Sequence, residues 1–274
     1  MDDTGGGAGS WGAGGWGVAP EVRGAMLVHE AKEALLLGDP ASAVAMAEEA
    51  LEDDPDDIEA LLVVADAAAR AGQPEVAVLA AAHARARGGD PGAIEAVALL
   101  GACRVEDALG AADAVLSADP ADARAWAVRG QALELLERPG AQAALETAHR
   151  LAPGRFPLPL IVTPERWLTL YAELVDGAGD EDRAHLAGAE IRWANLPSLA
   201  ELREGDPPAP PGAGALGWVH EGRVYCTIYR TNLARGANSE EELVIRLRDA
   251  VLEEVRMLEV QRRESVQSPD LPSE

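Results

Sequence analysis

The sequence has little lysine and no long apolar run. Lys32 is the only lysine and all other basic residues are arginine, which, with the abundant Ala and Gly, indicates a bias in genomic base composition rather than a function. No uninterrupted apolar stretch approaches the roughly 20 residues that cross a bilayer. The start, Met1 to Thr4, is acidic and is followed by glycines, so it lacks the basic and apolar regions of a secretory signal. We therefore expect a cytoplasmic protein without a membrane span.

Positive charge and potential metal ligands are also scarce. The chain carries 23 basic and 47 acidic residues, a net charge of −24, which disfavours binding to nucleic acid and to anionic membranes. The two cysteines, Cys103 and Cys226, lie in apolar patterns of different predicted domains, so we expect free buried thiols rather than a disulfide. The five histidines show no ligand spacing with one another. We accordingly predict no metal and no cofactor.

Between Pro20 and Pro153 the chain repeats a pattern of small residues at helical spacing followed by a break. The breaks are Pro55, Gly89, Pro120 and Pro153, at intervals of 34, 31 and 33 residues. The third unit, about residues 90 to 120, is irregular, with a shortened first helix before its cysteine. This period is typical of solenoids built from helix pairs, and the pattern resembles tetratricopeptide repeats (TPR). A generic Ala-rich helical bundle is the alternative.

The TPR resemblance implies close helix packing through small residues and a concave binding face. The positions that match the family's consensus are Ala31, Ala43, Ala50, Ala65, Ala77, Ala84, Trp126, Gly130 and Ala148. The first helix of each pair lines the concave face in that family. The candidate groove residues are therefore Lys32, Leu35, Leu62, Asp66, Arg70, Arg124, Gln131 and Glu134. Their charges are mixed and depart from the Lys/Asn-rich clamp that grips chaperone tails. Each of them could also be an ordinary solvated side chain.

The rest of the chain divides into an arm, a linker, an α+β region and a tail. Residues 1–19 are dominated by Gly and Ala, a composition typical of a disordered arm, and residues 154–162 form a Pro-rich linker. The expected elements of the α+β region, residues 163–263, are a helix from Pro164 to about residue 175, a strand at 189–193, a proline-rich loop at 203–214, strands at 215–219 and 224–230, a turn at 231–239 and a helix at 240–262. Residues 264–274 are expected to be a disordered tail.

The order of strand, "IYRTNLARGANSEEEL" connection and helix in this region resembles the small bacterial metallopeptidase-like zincins. Members carry H-E-x-x-H-x-x-G-x-x-D on the helix, where the histidines hold zinc and the glutamate activates water. Here the ligand positions hold Glu253, Met257 and Arg263, Val260 replaces the glycine, and only Glu254, at the position of the general base, remains. A thioether is a poor zinc ligand and an arginine opposes a dication. The resemblance thus implies a degenerate zincin-like domain without zinc.

The fold class expected from these patterns is an α-helical TPR-like solenoid followed by a small α+β zincin-like domain. The preferred function is a non-catalytic interaction protein with a protein or peptide partner. Zincin relatives also pair a peptide with a strand, which implies an open edge at residues 216–219 or 224–230. The alternative is a divergent metal-dependent peptidase with relocated ligands, such as Glu253 with His220 or Glu259.

Overall fold

A computed structural model describes residues 20–204 and 208–267, and the first half of this range consists of successive helix pairs. The pairs are α1 (Pro20–Leu37) with α2 (Pro40–Asp53), α3 (Ile58–Arg70) with α4 (Pro74–Ala86), α5 (Ala93–Gly101) with α6 (Val105–Ala118), and α7 (Ala123–Leu135) with α8 (Ala141–Leu151). The first helices contact one another in the order α1, α3, α5 and α7. This arrangement is a TPR-like solenoid, as the period predicts, and α5 is the shortened helix of the third unit. The predicted arm, residues 1–19, lies outside the described residues.

Helix ends in the solenoid follow from local side-chain chemistry. The carboxylate of Asp57 accepts hydrogen bonds from the backbone N–H groups of Glu59 and Ala60, and Asp122 accepts one from Ala125, so α3 and α7 begin with equivalent caps. Proline opens α2 and α4, where its missing N–H is tolerated. Asp-rich breaks between repeats therefore both end one helix pair and start the next.

The turn inside each repeat has a residue in the left-handed conformation within two residues of the end of the first helix, and the fourth turn has a second one, Gly140. Gly38 and Gly72 take it in the first two repeats, with φ of 80° and 74°, and Cys103 and Glu137 take it in the last two, with φ of 54° and 52°. A side chain in this conformation costs about 1 to 2 kcal/mol relative to glycine. The third and fourth turns thus contain a strain that the first two avoid.

The solenoid core is made of small residues, as the repeat pattern predicts. The matching alanines, Ala31, Ala43, Ala50, Ala65, Ala77, Ala84 and Ala148, are all buried. Trp126, which also matches the repeat consensus, does not belong to this core. The indole is only partly buried, donates a hydrogen bond to the carbonyl of Pro120 at 2.9 Å, and lies beneath the guanidinium of Arg129. Its position near a repeat break lets it cap the turn instead of filling the interior.

The second half of the described chain is an α+β region. Its elements are α9 (Pro164–Gly177), α10 (Asp180–Gly188), β1 (Ala189–Ala194), α11 (Leu199–Arg203), β2 (Ala215–His220), β3 (Arg223–Tyr229), α12 (Arg230–Ala234) and α13 (Glu240–Gln267). The sheet order is β1-β3-β2, with β1 parallel and β2 antiparallel to β3. Helix α13 packs its fully buried Leu243, Leu247, Val251 and Val255 in one core with Cys226 and Ile228 of β3. The three predicted strands and two long helices are confirmed.

Four details of this region differ from the sequence-based expectations. Helices α10 and α11 were not expected, and α12 lies inside the stretch expected to be only a turn, because short helices leave a weak periodic signal. Helix α13 continues to Gln267, past the expected start of the disordered tail at residue 264, because nothing in that polar stretch ends a helix. Residues 268–274 lie outside the described part. Within residues 20–204 and 208–267, no helix has the length and apolar character to cross a membrane.

The α+β region packs directly on the solenoid through α11 and the loop that follows it. Leu202 is 0% exposed and belongs to the same core cluster as the solenoid helices. Arg203 donates a hydrogen bond to the carbonyl oxygen of Cys103 at 2.8 Å, and the Cys103 thiol donates to the carbonyl oxygen of Ala209 at 3.2 Å. The strained turn of the third repeat is therefore the docking point, and the two regions share a core across the predicted linker.

Close helix approach in the fourth repeat can be tested at Gly130 on α7. A Cβ atom placed there would lie 2.6 Å from Cγ of Leu145 on α8, whereas one at the exposed Gly110 on α6 would meet nothing within 4 Å. Gly130→Ala is expected to be less stable than Gly110→Ala by about 1 to 3 kcal/mol in urea unfolding, since overpacking offsets the gain in helix propensity that both variants share. Equal stability of the two variants would contradict the close packing.

Candidate functional site

A groove of about 370 Å³ opens on the face formed by the first helices of the repeats. Helix α3 contributes Asp66 and Arg70, and α7 contributes Arg124 and Gln131. The apolar part of the lining consists of Ala69, Val97, Leu100, Ala127, Val128 and Phe156. Four of the eight predicted groove residues thus meet in one concavity. An apolar surface bordered by a few charged and amide groups is a typical ligand-binding arrangement.

The charged residues of the groove are organised by Asp66. Its Oδ1 accepts a hydrogen bond from Nη1 of Arg124 at 2.8 Å, and its Oδ2 accepts one from Nη2 of Arg70 at 2.5 Å. The side chains of Asp66 and Arg124 are only 16% and 21% exposed, whereas that of Arg70 is 44% exposed. One carboxylate therefore holds two guanidinium groups, and Arg70 presents the more accessible one.

Two groove residues, Arg155 and Phe156, come from the predicted linker at residues 154–162, here called the connector, and were not predicted to line the groove. The backbone N–H of Phe156 donates to the carbonyl of Ala152 at 3.0 Å, and Nδ1 of His149 lies 3.0 Å from the Phe156 carbonyl oxygen. The Arg155 guanidinium lies 5.5 Å from the Phe156 ring centroid. In the described part of the chain, Arg155 has no carboxylate partner. One sequence feature could have indicated that this segment lines the groove: Phe156 is the only phenylalanine of the chain and lies in a Pro-rich stretch.

The other four predicted groove residues lie elsewhere. Lys32 pairs with Glu59, and Leu35 packs partly buried against the solenoid core. Leu62 is partly buried on α3. Glu134 pairs with Arg235 of the α+β region at 2.5 Å, with both side chains about four-fifths buried. The prediction placed Glu134 on an open face, but the α+β region covers this end of α7, so the residue belongs to the junction.

Helix α13 carries the positions aligned with the zincin ligands on its exposed side and Glu254 on its inner side. Glu253 and Arg263 are exposed, and Met257 is 55% exposed. Glu254 points the other way, and its Oε1 accepts a hydrogen bond from the backbone N–H of Gly217 at 2.7 Å. A Cβ atom on Gly217 would lie 2.4 Å from Leu258 Cδ1. Glycine at this position is what allows α13 to lie so close to β2.

The sheet offers less open edge than expected. Strand β3 pairs on both sides, so the expected edge at residues 224–230 is wrong; β3 is the central strand. Strand β2 is an edge strand. The backbone N–H of Tyr229 donates to the carbonyl of Gly214, so these two residues form a hydrogen-bonded pair of the antiparallel ladder. Hydrogen-bonded and non-bonded pairs alternate along such a ladder, and Gly217 falls on a non-bonded position. Its N–H therefore points away from β3. Glu254 already accepts from that group, so peptide pairing along β2 would have to displace a carboxylate.

Burial controls the protonation of the groups beneath this edge. Burial raises the pKa of Glu254 above its ordinary range, the Gly217 hydrogen bond partly offsets this, and the charge of Glu253 raises it further. Burial also raises the pKa of Cys226 to about 12, with the charge of Glu254 adding to the effect. Both Cys103 and Cys226 are free and buried, as predicted. The Cys226 thiol is therefore protonated at neutral pH and unreactive.

The residues considered as relocated metal ligands are dispersed. Glu259 is 3% exposed and accepts a hydrogen bond from Arg262 at 2.6 Å, while His220 is exposed at the end of β2. Glu253 borders a separate groove between α9, α10 and α13. Across residues 20–204 and 208–267, no three His, Cys, Asp or Glu side chains form a group that could hold a metal ion. The structure thus gives the relocated-ligand alternative no support.

Several solved structures match about half of this chain. A thermophilic TPR protein of Thermus thermophilus is 22% identical, with a TM-score of 0.42 over 47% of this chain and 75% of its own. MamA 41-end from Desulfovibrio magneticus RS-1 is 24% identical, with a TM-score of 0.40 over 48% of this chain and 76% of its own. A MamA RS-1 double mutant is 26% identical, with the same TM-score and the same coverage of both chains. No protein-family model matches the chain, and no curated protein sequence matches it.

The buried carboxyl of Glu254 can be tested by its effect on stability. Because the folded-state pKa is raised, the protonated form is favoured in the folded protein, and this contribution is lost as the pH rises through the raised pKa. Glu254→Gln keeps an acceptor for the Gly217 N–H. It is expected to be more stable than the wild type at pH 7, with an advantage that fades toward about pH 4 in urea unfolding. Glu253→Gln removes an exposed charge one residue away and should not reproduce this trend. The same pH trend in both variants would count against burial as the cause.

Proposed function

We propose that this chain is a non-catalytic interaction protein whose solenoid groove binds a segment of a protein partner. The observation that carries the proposal is the concavity in which Asp66, Arg70, Arg124 and Gln131 border an apolar floor. Solenoids of helix pairs use this face for extended ligands. A repeat scaffold and a groove lined by both charged and apolar side chains favour partner binding over catalysis. Among the described residues that line the groove, there is no nucleophile with a base beside it.

The groove chemistry indicates which side chains the partner segment presents. Three arginines, Arg70, Arg124 and Arg155, face one carboxylate, that of Asp66, so the groove is locally positive in a chain of net charge −24. Guanidinium groups pair best with carboxylates, and amide groups suit Gln131. Salt screens charges beyond about 8 Å under physiological conditions, so the local excess governs recognition. We infer a partner segment with acidic or amide side chains beside an apolar residue that packs on Phe156.

The α+β region is, in this proposal, a degenerate zincin-like domain that supports the solenoid. The order of β3, a short connection and α13 supports this relationship, as does Glu254 at the general-base position. A zinc site needs three protein ligands on an accessible surface. Glu253, Met257 and Arg263 are accessible but cannot form one. The region would therefore act through its packing on α11 and the third repeat rather than through catalysis.

Partner binding can be tested with a pair of charge-matched double variants. Arg70→Ala with Arg155→Ala is expected to weaken capture of a co-purifying protein by about 1 to 3 kcal/mol, since both side chains are accessible in the groove and neither fills the core. Arg124 is left in place because it compensates the charge of the largely buried Asp66. The control, Arg150→Ala with Arg223→Ala, removes the same charge from exposed positions outside the groove.

The control variant should capture the partner as the wild type does, and both variants should melt at nearly the wild-type temperature. If the groove variant captures the partner normally, the groove is not the binding site. If both variants lose capture equally, the interaction depends on overall charge, and the proposed groove is again wrong.

The relationship to zincins can be tested by restoring the missing ligands. The wild type is expected to retain no stoichiometric zinc after dialysis. Glu253→His with Met257→His should create measurable zinc affinity by elemental analysis, because histidines at i and i+4 share a helix face. Residue 263 lies six residues past Met257 on the unbroken α13, about 9 Å along the axis and on another face, so adding Arg263→Asp tightens zinc only if α13 can bend near Val260 into a zincin-type site. A folded triple variant, judged by its helical signal, that binds zinc no more tightly than the double variant would argue against a zincin-type geometry.

A further inference from the structure

A second groove, of about 400 Å³, lies at the carboxyl ends of the two parallel strands and is separate from the solenoid groove. Strands β1 and β3 end at Ala194 and Tyr229, and the residues that follow, Asn195 and Arg230, both line the groove. The backbone N–H of Thr231 donates to the carbonyl of Asn195 at 3.0 Å and joins the two strand ends. Crevices outside the carboxyl ends of parallel strands are frequent ligand sites in α/β sheets.

The polar end of this groove is a guanidinium without a counterion. Nη2 of Arg230 donates to Oδ1 of Asn195 at 2.9 Å, and its buried Nε has no hydrogen-bond partner in the described part of the chain. The described chain has six arginines without a carboxylate partner, namely Arg138, Arg150, Arg155, Arg223, Arg230 and Arg263, and five of them are exposed. Arg230 alone among these six is partly buried. A partly buried positive charge without an anion is unfavourable, and a bound anion relieves it.

The remaining wall of the groove is apolar. It is formed by the connector and the start of α9, with Pro159, Leu160, Ile161, Val162, Pro164 and Trp167. Ile161 is 97% exposed, although a large aliphatic side chain gains about 1.5 to 3 kcal/mol from burial. The connector is fixed here because the N–H of Leu160 donates to the carbonyl of Ala234 at 3.0 Å. The wall is therefore a preformed apolar surface that ends at a positive charge.

We propose that this groove binds a carboxylate joined to a short apolar chain. The carboxylate pairs with Arg230 and Asn195, and the apolar chain lies on Leu160 and Val162 and covers Ile161. The volume of the groove is in the lower part of the range for small-ligand sites. Two sources carry this chemistry, a free short-chain carboxylic acid and the carboxyl-terminal residue of a peptide. This proposal does not depend on the solenoid groove or on the zincin relationship.

The test is calorimetric titration of the full chain with hexanoate, with hexanol as the uncharged match and hexylamine as the opposite charge. Hexanoate should bind at least about 10-fold more tightly than either, since a hydrogen bond to a charged group contributes about 1.5 to 3 kcal/mol. Arg230→Gln should weaken hexanoate binding by about 10-fold or more. The matched control is Arg223→Gln, an exposed arginine without a carboxylate partner at the other end of β3, which should leave binding within about 2-fold.

A second variant keeps the test valid if Arg230→Gln is unstable. Ile161→Asp changes an exposed side chain, so the fold should persist, while a negative charge in the groove should abolish hexanoate binding.

A short peptide that ends in leucine with a free carboxylate shows which of the two sources supplies the ligand. If the peptide binds more tightly than hexanoate, the site is assigned to the carboxyl terminus of a peptide. If it binds more weakly, the site is assigned to a free carboxylic acid. Equal binding of hexanoate and hexanol, or hexanoate binding unchanged in both Arg230→Gln and Ile161→Asp, would overturn the proposal.

Discussion

Close approach of helices through small side chains is the constraint on which the solenoid depends. The buried layer between its helices is built largely from alanine, and each buried alanine removes little apolar surface from water. Stability therefore has to come from backbones that lie near one another over long stretches, where many weak dispersion contacts add up. The same constraint appears in the α+β region, where Gly217 lets α13 reach β2. Larger side chains at the solenoid contacts would separate the helices that form its groove.

Most of the architecture could be predicted from the sequence, because its signals are local and repeated. Breaks at Pro55, Gly89, Pro120 and Pro153 fix the helix pairs, and alternation fixes the three strands. The signals fail where structure depends on distant contacts. Leu202 lies in a five-residue helix whose burial in the solenoid core no periodicity indicates. Trp126 has a consensus position but lies beside a turn whose carbonyl it can reach, so the hydrogen bond decides its place.

The candidate groove was predictable in part for a related reason. Asp66, Arg70, Arg124 and Gln131 follow from the rule that first helices line the concave face. Arg155 and Phe156 come from the connector, whose path is set by bonds to α8 and α12 rather than by its own pattern. Glu134, like Asp66, lies on the first helix of a pair, and the same rule places it on the open concave face. It pairs instead with Arg235, because the α+β region covers that end of α7. Repeat geometry locates a face, and only the tertiary structure shows which part of it remains open.

The left-handed turn at Cys103 has a consequence for the order in which the protein is assembled. Its partner Ala209 is 106 residues further along the chain, so several repeats leave the ribosome before the segment that covers this turn exists. Until then the third repeat carries a strained, uncovered turn directly after the shortest first helix of the solenoid. Contacts of such long sequence separation form late because their loops are costly to close. The third repeat can therefore be completed only after α11 and the residues that follow it have been synthesised.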